Sequence, residues 1–130
     1  MNWPIFIAGL GAGFITVGHF AIGARHYLRP MLLASFDDVP KKINHCVFHY
    51  VSAFLVLSTG YLLFIGAGYH NQADATWLVK FIAINYGMFA VVQIIIAATS
   101  GIRNAIVKLF QWSLFTFVAV FAWVGAVYAG

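Results

Sequence analysis

Four long apolar stretches, separated by short polar connectors, constrain this chain more than any other feature. A helix needs about 20 apolar residues to cross the hydrocarbon core of a bilayer. The stretches run from Pro4 to about Leu28, from His45 to about Gly68, from Trp77 to about Thr99 and from Ile106 to about Ala129. They lack the apolar–polar alternation of a membrane β-strand. The sequence therefore predicts an all-α membrane protein, a bundle of four antiparallel transmembrane helices.

The composition agrees with this fold class and leaves no room for a second domain. Hydrophobic residues make up 63% of the 130 residues and charged residues only 8%, and the mean hydropathy is +0.92. A soluble domain of this length could not cover its surface with so few polar groups. Residues 1–130 are therefore predicted to form a single four-helix transmembrane domain. A short interfacial segment, ending before Pro40, is expected between the first two spans in "PMLLASFDDVPKK".

The basic residues predict how the helices are oriented. Six of the seven lie in the first and third connectors, namely Arg25, Arg29, Lys41, Lys42, Arg103 and Lys108. Loops rich in Lys and Arg stay in the cytoplasm, so both termini are predicted to lie outside, with the protein in the bacterial inner (plasma) membrane. This bias also explains the net charge of +4. The expected partner is the lipid bilayer and not nucleic acid, because no basic patch interleaved with aromatic residues is present.

One strongly polar side chain per span falls at a similar depth. His19 lies roughly 9 Å and His49 roughly 7 Å from the predicted cytoplasmic edge at the rise of an α-helix. Gln93 and Gln111 lie at comparable depths on the third and fourth spans. An ionisable residue inside a membrane is a candidate functional residue. We therefore predict a polar cofactor-binding layer near the cytoplasmic face, built around His19 and His49.

The histidine spacing suggests what that layer could hold. His45 and His49 are four residues apart, and His19 and His26 are seven apart, so each pair is expected to share a helix face. Imidazole is the commonest protein ligand of transition metals. The favoured hypothesis is a metal ion held by His19, His26, His45 and His49. A haem b with His19 and His49 as axial ligands, and Arg25 near its propionates, ranks below the metal ion.

Three further interpretations remain open. A quinone could be held by a histidine and Gln93. The histidines and glutamines could simply pair the helices of a structural or assembly protein through interhelical hydrogen bonds, each worth about 0.6 kcal/mol. A small oligomeric transporter or channel gated by the histidines is the third interpretation, although no acidic residue falls inside a predicted span.

The favoured function is an accessory or ligand-binding membrane subunit and not an enzyme. No nucleophile with a nearby base and no glycine-rich phosphate loop is present in the sequence. Gly9 and Gly13 form a G-x3-G pair, which permits close approach of another helix. That helix belongs either to the same chain or, alternatively, to a homo-oligomer or a larger membrane complex.

The segment from His19 to Ser52 resembles a family of small, largely uncharacterised bacterial inner-membrane proteins. The matching residues are His19, Gly23, Arg25, Leu28, Pro30, Met31, His49 and Ser52, which give the motifs H-x3-G-x-R-x2-L-x-P and H-x2-S. Phe48 stands where the family pattern has tryptophan, and Ala24 where it has an acidic residue. The resemblance implies a four-helix membrane fold and singles out His19 and His49.

Overall fold

The computed structural model describes residues 1–69 and 72–128, and of residues 72–74 it describes the backbone alone. The helices of the described part, in chain order, are α1 (Trp3–Gly18), a π-helical segment (His19–Leu28), α2 (Arg29–Leu33), α3 (Asp38–Gly66), α4 (Gln72–Thr99), α5 (Ala105–Lys108) and α6 (Gln111–Tyr128). No strand occurs in those two ranges. Ala129, the predicted end of the fourth stretch, lies outside them.

Four helical stretches are long and apolar enough to cross a membrane. They are Trp3–Leu33, Asp38–Gly66, Ala75–Thr99 and Gln111–Tyr128. At most 28% of the apolar window in any of them is buried inside the protein. The outward faces are therefore apolar too, as contact with lipid requires. The predicted class, an all-α membrane protein with four membrane-crossing helices, is confirmed.

Helix α1 occupies the middle of the bundle and packs against both α3 and α6, while α4 packs against α6. Glycines set the distance between α1 and α3. A Cβ at Gly9 would lie 2.8 Å from the backbone nitrogen of Leu63, and a Cβ at Gly66 would lie 2.5 Å from the Cα of Phe6. Backbones this close gain van der Waals contact, which drives helix association in lipid.

Glycine also allows close packing between α1 and α6. A Cβ at Gly125 would lie 2.5 Å from the Ile5 side chain, and the Asn2 side chain donates a hydrogen bond to the Gly125 carbonyl at 2.9 Å. Gly13 faces Thr59 of α3. Gly9 and Gly13 are thus both used within the chain, as the intramolecular alternative expected.

Helices α3 and α4 meet through a small aromatic cluster and a buried hydroxyl pair. The ring centroids of Phe54 and Phe89 lie 5.4 Å apart, and those of Phe89 and Phe115 lie 5.7 Å apart. The hydroxyls of Ser58 and Tyr86, both buried, lie 3.0 Å apart. Apart from this region the two helices make few close approaches, which leaves a gap between them.

We call the end of the bundle that carries Arg25, Arg29, Lys41, Lys42, Arg103 and Lys108 the basic end. Two of its boundaries differ from the predicted ones. The short helix α2 ends at Leu33, before Pro40 as predicted, but the second spanning helix, α3, begins at Asp38 and not at His45, so Pro40 lies in its first turn. Proline is tolerated in a first helical turn because those N–H groups have no intrahelical acceptor.

The second difference lies in the third connector. The fourth span begins at Gln111 and not at Ile106, because the short helix α5 precedes it. Gly101 (φ 69°) and Asn104 (φ 58°) turn the chain there in the left-handed region. Residues with little or no steric barrier to positive φ are needed for such a turn.

Candidate functional site

The first span changes from α-helix to π-helix at His19 and stays π-helical to Leu28. The backbone N–H of Arg29 bonds to the carbonyl of Ala24, five residues back, whereas an α-helix bonds four residues back. Each turn therefore holds more residues than an α-turn, which alters the direction in which successive side chains project. Such turns are rare and frequently occur at functional sites.

His19 is tied to α3 by a chain of two hydrogen bonds. Its Nε2 lies 2.9 Å from Oγ of Ser52, and the Ser52 hydroxyl donates to the Phe48 carbonyl at 2.9 Å. A serine hydroxyl has one proton, so Ser52 can only accept from His19. The neutral imidazole of His19 therefore carries its proton on Nε2 and a lone pair on Nδ1.

Packing fixes the plane of the His19 ring and leaves Nδ1 available. The ring stacks on Phe48, with centroids 4.1 Å apart and an interplanar angle of 18°. Nδ1 points towards Gly23, where a Cβ would lie 3.7 Å from it. The side-chain hydrogen bond of His19 to Ser52 is made by Nε2 and not by Nδ1. His19 thus presents an acceptor that Ser52 does not use inside the bundle.

A cavity of about 320 Å³ opens beside His19, between the first span, α3 and α6. We call it the His19 cavity. Its walls are mostly aliphatic and aromatic, and its polar lining side chains are His19, Tyr27 and Gln111. Small-molecule sites usually have volumes of roughly 300–1,000 Å³, apolar walls and a few placed polar groups. The His19 cavity has these properties.

The two predicted glutamines meet at the far wall of this cavity. The Gln93 amide N–H donates to Oε1 of Gln111 at 2.7 Å, which links α4 to α6. The amide N–H groups of Gln111 have no acceptor among the described residues. The Oε1 atom of Gln93 is buried and, within the same part of the chain, has no partner.

An apolar groove lies on the other side of Gln111, in the gap between α3 and α4, with α6 as its third wall. Its volume is about 690 Å³, and Val51, Met88, Phe89, Gln93, Gln111 and Phe115 are among its lining residues. We call it the α3–α4 groove. It shares Val51, Gln111 and Phe115 with the His19 cavity. The two spaces are therefore neighbours separated by three side chains.

The other three predicted metal ligands, His26, His45 and His49, do not join His19. His45 and His49 pair with each other, their Nε2 atoms 3.2 Å apart, on the exposed side of α3. His26 is exposed and its Nδ1 donates to the Ile22 carbonyl of its own helix at 3.2 Å. In residues 1–69 and 75–128, no three His, Cys, Asp or Glu side chains are grouped to hold a metal ion.

The predicted set of four imidazoles is thus not assembled within one chain. The expectation that His19 and His26 share a face assumed α-helical periodicity, and the π-helical segment between them changes that periodicity. Arg25, the expected propionate partner of a haem, is exposed.

A haem held axially by His19 and His49 does not fit this arrangement. Nε2 of His19 is engaged by Ser52, and Phe48 covers the ring face at 4.1 Å. His49 turns towards His45 on its own helix. A macrocycle between the two rings would displace all three contacts.

Comparison with known proteins gives no relative to draw on: no family model, no curated protein and no solved structure matches the chain. The family resemblance carried by His19 to Ser52 stays a prediction.

Sequence reasoning brought His19 and Gln111 into one layer but did not predict that Ser52 and Phe48 position His19, although both residues fall in the family motif. Ser52 lies three residues after His49, at nearly the same depth, and the depth argument selected the histidine. Depth alone does not show which of two residues one turn apart faces the neighbouring helix. The π-helical segment was also missed. The glycines flanking its first turn, Gly18 and Gly23, were the available signal.

Proposed function

We propose that this protein binds an amphipathic small molecule from the bilayer, with the head group in the His19 cavity. The observation that carries the proposal is that His19, with Nδ1 not used in its contact with Ser52, lines a cavity with predominantly apolar walls. A polar atom in apolar surroundings gains free energy from a hydrogen-bond partner, so a ligand that donates to Nδ1 would be bound with a net gain.

The polar groups of the cavity indicate the class of ligand. His19 accepts through Nδ1, and Gln111 donates through its amide N–H groups. The reduced form of a quinone, a hydroquinone, matches both: one ring hydroxyl accepts from the Gln111 amide, and a ring hydroxyl donates to Nδ1 of His19. Among the redox cofactors expected at this layer, a quinone is therefore the one that these residues fit best.

The α3–α4 groove supplies a place for the apolar tail of such a ligand. Its lining is apolar apart from the two glutamines, and it lies between helices that face lipid. A tail passing Gln111 would extend from the His19 cavity into the groove. The buried Oε1 of Gln93 lies along that path and favours a ligand with a second hydrogen-bond donor.

The test is the affinity of the purified protein in detergent for a short-tailed alkyl hydroquinone, the reduced form that can donate to Nδ1 of His19, measured by calorimetric titration. Gly18 lines the cavity, and a Cβ there meets no atom within 4 Å, so Gly18→Leu should fill the cavity without a clash. We expect it to weaken binding at least about tenfold, or about 1.4 kcal/mol. His19→Ala removes one hydrogen bond and should cost about 0.5–1.5 kcal/mol.

Gly60→Leu is the matched control, because a Cβ at Gly60 also meets no atom within 4 Å and Gly60 is not among the residues lining the cavity. Equal affinity in the Gly18→Leu and Gly60→Leu proteins would contradict the proposed site.

A structural role is the second candidate, and the hydrogen bonds themselves favour it. His19–Ser52 joins the first span to α3, and Gln93–Gln111 joins α4 to α6. On this alternative the wild-type protein binds no quinone, and His19→Ala only lowers its thermal stability.

The wider role proposed is that of an accessory membrane subunit in the bacterial inner membrane, with the basic end in the cytoplasm. The charge distribution supports the orientation. The small number of ionisable groups in the cavity, His19 and Tyr27, favours binding over turnover. We do not assign a transition-metal ion to the His19 cavity.

A further inference from the structure

We propose that His45 and His49 chelate one divalent transition-metal ion per chain through their Nε2 atoms, on the exposed side of α3. This inference is independent of the His19 cavity. It keeps two of the four histidines first expected to bind metal and assigns them a site of their own.

The distance between the two nitrogens carries the argument. The Nε2 atoms lie 3.2 Å apart, with ring centroids 5.0 Å apart. Zn–N bonds of about 2.0–2.1 Å in tetrahedral geometry separate two ligand nitrogens by about 3.3 Å. Both rings therefore already hold their nitrogens at the spacing that one ion requires.

Metal binding by His45 and His49 requires no net loss of protons. Without metal, one Nε2–H donates to the lone pair of the other Nε2. A metal ion needs a lone pair on each Nε2. The donor ring supplies it by moving its proton from Nε2 to Nδ1, its other tautomer, so both imidazoles stay neutral and no net proton is released.

The surroundings leave room for an ion and for further ligands. His49 is exposed and His45 half-buried, near the start of α3 at the basic end. Lys41, one turn before His45, is held in an ion pair with Asp38 at 3.6 Å, and its ammonium lies over the Phe36 ring. These contacts direct its charge away from the imidazoles.

The ligand type and number define the class of ion. Imidazole suits Cu²⁺, Ni²⁺ and Zn²⁺, with Cu²⁺ bound most tightly. Two protein ligands leave the other coordination positions to water or to an incoming ligand. A site with open positions is typical of an exchangeable or reactive ion and not of a structural one.

The test is titration of the untagged protein in detergent with Cu²⁺, followed by electron paramagnetic resonance. We expect one ion per chain and nitrogen couplings from two imidazoles. His45→Ala and His49→Ala should each weaken binding more than about 100-fold, the upper end of the loss caused by removing an outer partner of a metal ligand. His26→Ala is the control, because His26 is an exposed histidine whose ring bonds only to its own helix.

Unchanged Cu²⁺ affinity in either the His45→Ala or the His49→Ala protein would overturn the inference, as would the absence of binding by folded wild-type protein. Quinone affinity should be the same in the His49→Ala and wild-type proteins. The two proposals therefore fail separately.

Discussion

Single glycines determine how closely α1 approaches its neighbours. Gly66 of α3 and Gly125 of α6 each face the first turns of α1, where an added Cβ would lie 2.5 Å from Phe6 or Ile5. In lipid, helices gain little from burying apolar area, so close packing and interhelical hydrogen bonds hold the bundle together. These glycines, more than the bulky side chains around them, set the distance between the helices.

Gly66→Ala tests this at one residue. The new Cβ would collide with the backbone of Phe6, which cannot move aside like a side chain, so we expect a loss of about 1–3 kcal/mol. Gly60→Ala on the same helix meets no atom within 4 Å and should cost nothing. Thermal unfolding in detergent would compare them, and equal melting temperatures would refute the packing argument.

The surroundings of His19 show which parts of the site could be predicted from the sequence. Counting residues from the ends of the spans predicted a layer containing His19, His49, Gln93 and Gln111. The structure places His19 and Gln111 on one cavity and joins Gln93 to Gln111. The count could not distinguish His49 from Ser52, because both lie near that depth and their direction depends on where α3 faces α1.

At the scale of elements, the spans were predictable and their irregularities were not. The lengths of the apolar stretches identified all four spans. A chain that crosses lipid must pair its backbone groups within a helix, and that helix must be long enough to span the bilayer. The π-helical segment cannot be predicted from the length of an apolar stretch, because the residues of an α-helix and of a π-helix can be equally apolar. Helix α5 was merged with the fourth span for the same reason.

The turn between α4 and α5 offers an element-level prediction. Gly101 has φ 69°, and a Cβ there would meet no atom within 4 Å. Gly101→Ala should therefore destabilise the protein through backbone conformation alone, by roughly 1–2 kcal/mol. Chemical denaturation of the variant and the wild type would measure the difference. A variant as stable as the wild type would show that the turn does not need left-handed geometry.

At the scale of the whole molecule, six of the seven basic residues lie at one end. Trp3, Tyr69, Trp77 and Tyr128 are exposed at the end away from the basic connectors, and Lys80 there lies over the Trp77 ring at 5.3 Å. Aromatic rings favour the membrane interface, and Lys and Arg favour the cytoplasmic side. The asymmetry supports the proposed orientation.

Orientation can be measured by cysteine accessibility in intact cells. Ser35, in the first connector, and Tyr69, before α4, are both exposed and lie at opposite ends. In a Cys46→Ser background, we expect an impermeant maleimide to label Tyr69→Cys in intact cells. Ser35→Cys should be labelled only after permeabilisation. The reverse pattern would show the opposite orientation.

If the His19 cavity holds a ligand drawn from the membrane, as we propose, that ligand should remain bound during purification. It can be detected by mass spectrometry of lipid-soluble molecules that co-purify with the protein from its native membrane. We expect a quinone in stoichiometric amount in the wild-type and Gly60→Leu proteins, and its loss from Gly18→Leu. Folded wild-type protein without such a molecule, or with equal amounts in all three proteins, would contradict it.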